Sequence, residues 1–178
     1  PRLCKPVPRI AGGGDPPTSA DSINVANTSV LPMRGEVLAL WEGGSAFRLD
    51  PVTLETRGPK TWRADLKGMP FLAHPKPEPN GGGWNLGATA RRVVIYRISP
   101  AGELEDFGMV DIGAASYIHD WTMSERKLVI LVQPWIMTAS RPPFINSFDW
   151  RPQEGLKALI IDKDDLKKTR WAQAPARS

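Results

Sequence analysis

Apolar positions along this chain fall in short runs separated by turn residues, not at helical spacing. Glu36 to Glu42 (Glu-Val-Leu-Ala-Leu-Trp-Glu) is largely apolar and is closed by Gly43-Gly44, after which Ala46 to Leu49 resumes the run. Two such runs around a glycine pair predict a hairpin. Arg92 to Ile98 (Arg-Val-Val-Ile-Tyr-Arg-Ile) is β-branched and aromatic. It ends at Ser99-Pro100-Ala101-Gly102, where Pro presets φ and Gly is free to take a positive one. Lys127 to Val132 and Lys157 to Ile161 repeat the pattern. No long stretch sustains a 3.6-residue apolar period, which argues against a helical domain and for an all-β fold.

Three segments share one template: Phe47-Arg-Leu-Asp-Pro-Val-Thr-Leu, Tyr96-Arg-Ile-Ser-Pro-Ala-Gly-Glu-Leu and Leu159-Ile-Ile-Asp-Lys-Asp-Asp-Leu. In each, an apolar strand ends at Asp or Ser, turns tightly and restarts at Leu. The repeats lie 49 and then 63 residues apart, a spacing suited to four-stranded propeller blades with variable loops. An ordinary antiparallel sandwich is the plainer alternative. Residues 1–22 are rich in Pro, Gly and Ser and read as an irregular leader or fragment edge. Residues 23–178 read as part of a β-propeller with about three blades.

An apolar fraction of 41% suffices for a packed core. The net charge of +4 is scattered, with only Lys167-Lys168-Thr169-Arg170 locally dense and one Trp beside it. That favours a solvated face over a nucleic-acid groove. The single cysteine, Cys4, excludes an internal disulfide framework. There is no apolar window of membrane-spanning length and no signal-like segment, so the expectation is a soluble, cytoplasmic protein. Because the sequence opens on Pro1 and stops in a polar run, it reads as a piece of something longer.

The two histidines, His74 and His119, are 45 residues apart and occupy comparable contexts, Ala73-His74-Pro75-Lys76 and Ile118-His119-Asp120-Trp121. Pro75 disfavours helical geometry at His74, and the apolar Pro70-Phe71-Leu72-Ala73 before it reads as a strand ending at the histidine. Spacing near one blade lets both imidazoles project toward a common axis. Taken singly, each histidine also fits a satisfied core position. Imidazole ligation without thiolate suits Fe(II), Zn(II) or Cu(II), but two histidines alone would hold a metal weakly. An imidazole ligand is usually oriented by an acceptor on its other nitrogen, most often a carboxylate. Glu42, where an apolar strand meets Gly43-Gly44, is the candidate for that role, against the alternative of a solvent-facing hairpin end. Asp120 is the poorer candidate. No nucleophile–base pair is evident, and Gly81-Gly82-Gly83 precedes no helix, so a phosphate loop is excluded.

These segments resemble the carotenoid cleavage oxygenases, a family that includes apocarotenoid and lignostilbene dioxygenases and retinoid isomerases. The resemblance runs through Asn27-Thr28-Ser29-Val30, Leu38-Ala39-Leu40-Trp41-Glu42-Gly43-Gly44, Leu49 to Thr56, Ala73-His74-Pro75-Lys76, Trp84-Asn85-Leu86-Gly87 and Ile118-His119-Asp120. It implies a seven-bladed β-propeller with Fe(II) on its axis, held by four histidines, of which His74 and His119 match the first two. Glu42 matches a glutamate that hydrogen-bonds a histidine ligand, here expected to be His119. The implied activity is dioxygen-dependent cleavage of a conjugated C=C bond in an apolar carotenoid, apocarotenoid or stilbene, giving two carbonyl products. Peripheral membrane contact, which the family uses at times, is left open. Family members exceed twice this length, and the third and fourth histidines are not among these residues. The expectation is therefore that the 178 residues alone do not catalyse cleavage; a catalytically inactive module that binds an apolar ligand or partner is the alternative.

Overall fold

The computed structural model describes residues 18–139, 141 and 144–175. The leader through residue 17, with Cys4, and residues 176–178 lie outside the described residues. Fourteen β-strands and a few single-turn 3₁₀ segments make up the regular structure, with no α-helix among the described residues. No helix there is long and apolar enough to cross a membrane.

The strands form three four-stranded antiparallel sheets and one two-stranded excursion. The first sheet holds β1 (Ser29–Met33), β2 (Glu36–Leu40), β3 (Phe47–Leu49) and β4 (Thr56–Pro59) in chain order. The second holds β5 (Lys76–Pro77), β6 (Gly83–Thr89), β7 (Arg92–Ile98) and β8 (Leu104–Asp111), again in order. The third begins with β9 (Trp121–Met123) and β10 (Lys127–Val132). The chain then leaves it for the β11 (Trp135–Met137) and β12 (Phe148–Trp150) hairpin, and returns as β13 (Leu156–Asp162) and β14 (Thr169–Ala174). Each sheet is thus a four-stranded meander, as in a propeller blade.

The sequence template now has a structural meaning. Its three copies run from the third strand of each sheet into the turn toward the fourth, β3 to β4, β7 to β8 and β13 to β14; Leu104 opens β8, whereas Leu54 and Leu166 still lie in the turns. The longer second interval accommodates the β11–β12 excursion. The turn chemistry follows the residues. Asp50 Oδ1 accepts from the N–H groups of Val52 and Thr53, both at 2.9 Å, an Asx-type turn. In the second sheet, the Gly102 N–H donates to the Ser99 carbonyl at 2.9 Å. Gly102 has φ +82°, a region costly for other residues.

Strand β7 explains how the sheets stack. Val93 and Ile95 join Leu72, Trp84 and Leu86 in a core shared with Trp121, Leu128, Ile130, Leu159 and Ile161 of the third sheet. Val94, Tyr96 and Ile98 point the other way, into a core with Leu38 and Leu40 of the first sheet. A strand buried on both faces must read as a continuous apolar run, which is why Arg92–Ile98 is legible in the sequence. Full burial of such side chains stabilises by about 1.5–3 kcal/mol each, so this middle sheet joins its neighbours. Phe71 and Trp121, set in the motifs around the histidines, are core residues here.

One charged contact also crosses between sheets. Lys163, buried after β13, donates to Glu78 Oε1 at 2.8 Å. Its Nζ and the Arg97 guanidinium lie 5.7 Å and 5.3 Å from the ring centre of Trp84.

Candidate metal centre

His74 and His119 lie at the entrances to β5 and β9, the first strands of the second and third sheets. Each of these strands is an edge of its sheet. Ser29 Oγ of β1 donates to the Ala73 carbonyl just before His74. Lys76 of β5 donates to Asp120 Oδ1, beside His119, at 2.7 Å. The segment before His74 corrects one expectation. Pro70–Ala73 is not a strand but an extended connection between sheets, because its hydrogen bonds go to several different partners.

The two imidazoles converge, with ring centres 4.6 Å apart and planes inclined at 71°. Glu42 stands between them. Its Oε1 is 3.2 Å from His119 Nδ1 and 3.5 Å from His74 Nε2, so the carboxylate faces both histidines and not His119 alone. Within the Glu42–His74–His119 group, one ligand atom from each residue lies within 4.8 Å of the others. The solvent-facing alternative for Glu42 does not hold, since its side chain keeps only 16% of its exposure. Burial pushes the Glu42 carboxyl above its ordinary range, and the facing imidazoles, His119 first, act against that rise.

Both Glu42 oxygens and His74 Nε2 are buried with no hydrogen-bond partner. Three orphaned polar atoms in one place are costly, and in native proteins such a group calls for an explanation. A cation held by the two imidazoles beside Glu42 offsets that cost, since imidazole nitrogen is a donor in non-heme Fe(II) sites and a carboxylate is the usual acceptor beside such a ligand. The residues therefore fit a divalent metal.

The turn after Glu42 is held from below. Asp21 accepts from the Ser45 N–H at 2.7 Å and from its hydroxyl at 2.8 Å, and the Asn24 amide donates to the Ser45 carbonyl at 2.8 Å. On the other flank, Tyr117 lies nearly parallel to His119, with ring centres 6.3 Å apart at 7°. Trp135 and Phe148 of the excursion meet Tyr117 edge-on at 5.6 Å and 5.5 Å. The hairpin is tied to this loop by Tyr117 N–H to Trp135 carbonyl at 2.9 Å and Met137 N–H to Ala115 carbonyl at 2.8 Å. Burial, and then the charge of Glu42, raise the Tyr117 phenol above its ordinary range.

Sequence reasoning missed Tyr117 and the Lys76–Asp120 clip. The opposite charges beside the two histidines were the available signal for the clip. For Tyr117 there was none, because its partners come from an excursion that no periodicity announced.

Residues 4–177 match the model of the retinal pigment epithelial membrane protein family. The chain belongs to this carotenoid oxygenase family. Resveratrol cleavage oxygenase 1 of Aspergillus fumigatus is 28% identical over 84% of this chain and 32% of its own length. Isoeugenol monooxygenase of Pseudomonas putida is 26% identical over 91% of this chain and 36% of its own length. Among solved structures, the lignostilbene dioxygenase of Pseudomonas brassicacearum superimposes with a TM-score of 0.74 at 29% identity. That superposition covers 88% of this chain and 34% of the other. The chain thus spans about a third of the length of the relatives it matches. As a member of this family it has the expected all-β architecture, with four-stranded sheets like propeller blades.

Proposed function

We propose that these residues are the part of a non-heme Fe(II) oxygenase that supplies two of its iron ligands, His74 and His119, with Glu42 orienting them. The observation that carries this reading is the convergence of both histidines on one buried carboxylate, with Nε2 of His74 and both Glu42 oxygens left without partners. Iron, when bound, supplies the activation of dioxygen. The carboxylate behind His119 Nδ1 fixes the ring and leaves Nε2 as the ligand atom. The substrate class is an apolar molecule with a conjugated C=C bond, a carotenoid, apocarotenoid or stilbene, split with O2 into two carbonyl products. Family membership supports that class, as do relatives named for resveratrol, isoeugenol and lignostilbene. The aromatic group Tyr117–Trp135–Phe148 beside His119 gives a planar, conjugated substrate a surface to lie against.

The sequence holds two histidines, so a four-histidine, seven-bladed arrangement needs two ligands from outside these residues. The 178 residues by themselves are then inactive. The test is anaerobic Fe(II) loading of the full-length protein, followed by product analysis with an apocarotenal and a stilbene under O2. The expected result is paired carbonyl products that depend on iron, with iron lost in His74→Ala and in His119→Ala. Full iron content in both variants would remove them as ligands.

A further inference from the structure

The motif Trp84-Asn85-Leu86-Gly87 contributes nothing to the Glu42–His74–His119 group, yet three of its residues in succession touch the segment that leads into His74. The buried Asn85 side chain donates to the Leu72 carbonyl at 2.7 Å. The Leu86 carbonyl accepts from the Leu72 N–H at 2.8 Å. Gly87 lies so close to the segment that a Cβ there would stand 2.0 Å from the Pro70 carbonyl oxygen.

Three more polar groups of Pro70–Ala73 are taken up from other directions. The Tyr96 hydroxyl donates to the Pro70 carbonyl at 2.9 Å. The Phe71 N–H donates to the Gly44 carbonyl at 2.9 Å, two residues beyond Glu42. Ser29 Oγ holds the Ala73 carbonyl. Phe71 itself is stacked on Trp62 at 4.9 Å and meets Tyr96 edge-on at 5.2 Å. A connection between sheets is ordinarily among the looser parts of a fold. This one is buried and bonded at every residue, and it ends on His74.

Asn85 is an expensive choice for such a position. It is fully buried, and its Oδ1 has no hydrogen-bond partner among the described residues. An apolar residue of the same size would remove the unpaired Oδ1 but would leave the buried Leu72 carbonyl without its donor.

We propose that Asn85 and Tyr96 are positioning residues for His74. Through the Leu72 and Pro70 carbonyls they fix the segment from which the imidazole projects, so that it faces Glu42 and His119 before a metal binds. Sites of this kind depend on supporting bonds of this sort to hold their geometry to about half an ångström. The proposal rests on the reading of His74 as a metal ligand.

The test uses the full-length protein, freed of metal and titrated anaerobically with Co(II) while its d–d absorption is recorded. Asn85→Leu is expected to bind Co(II) roughly tenfold more weakly than wild type and to alter the d–d band pattern. Tyr96→Phe keeps the ring packing and should shift both readouts in the same direction by less. Ile161→Val, a core change in the third sheet, should lower the unfolding midpoint and leave affinity and spectrum alone. A folded Asn85→Leu protein with wild-type affinity and spectrum overturns the proposal. If Asn85→Leu does not fold, the same result in Tyr96→Phe does so. A wild-type protein that binds no Co(II) overturns the iron reading and this proposal with it.

Discussion

Oε1 of Glu42 lies 3.2 Å from Nδ1 of His119, although Glu42 follows β2 of the first sheet and His119 precedes β9 of the third. The same oxygen is 3.5 Å from Nε2 of His74. One carboxylate therefore stands between both imidazoles.

Glu42→Gln keeps the shape and removes the charge. In the full-length protein it should retain most of its iron while turnover falls by about tenfold or more, as expected for an orienting partner. Iron content by metal analysis and the initial rate of O2 uptake check this. Loss of the iron itself would make Glu42 a direct ligand, and an unchanged rate would deny it either role.

The Lys76–Asp120 bond ties together the two segments that carry the histidines. Asp120 is exposed, so Lys76→Gln and Asp120→Asn should each change global stability by less than about 1 kcal/mol. Each should still weaken iron retention by several fold. Denaturant midpoints and iron content measured on the same samples separate the two effects. Equal iron content in all three proteins would show that the clip does not serve the site.

Lys163 and Glu78 join the second and third sheets in a largely buried pair. Lys163→Ala leaves Glu78 without its partner and should cost about 3 kcal/mol or more. Combining Lys163→Met with Glu78→Gln should recover much of that loss, because no buried charge then remains unpaired. Urea unfolding of the set is the check, and a single variant as stable as wild type would show that solvent reaches Glu78.

Two backbone N–H donors, Thr53 and then Val52, followed by the Arg57 ion pair, hold the Asp50 carboxyl down to about 2. A carboxyl lowered in the folded state stabilises it fully above its unfolded value near 4. That contribution is lost as the pH falls from about 4 toward 2. NMR titration of the Asp50 side chain should show a midpoint near 2, and Asp50→Asn should flatten the acid side of the stability curve. A midpoint near 4 would mean that the turn does not hold its bonds in solution.

Several elements were legible in the chain itself. Arg92–Ile98 and Lys127–Val132 are β7 and β10 as read; β7 is covered on both sides and has to be apolar throughout, while β10 carries the β-branched and apolar residues that strands favour. The recurrent Asp/Ser turn marked the same corner of three sheets, since a tight turn imposes its residue types locally. Glu36–Glu42 was read as one strand, whereas β2 stops at Leu40 and Glu42 lies beyond it, facing both histidines.

The sequence by itself determined the all-β character, the blade-like repeat and the identity of Glu42, His74 and His119 as the residues to watch. These follow from local properties: which side chains tolerate burial, which accept tight turns and which bind metal. Only the tertiary structure decided that β5 and β9 are strands of two and three residues, that the β11–β12 hairpin brings Trp135 and Phe148 to Tyr117, that Glu42 faces both histidines, and that Asn85 holds the segment leading into His74. Each of these depends on a partner far away in the chain. Short edge strands, orphaned buried atoms and cross-sheet hydrogen bonds have no periodicity, because their energy comes from which surfaces meet and not from the order of neighbouring residues.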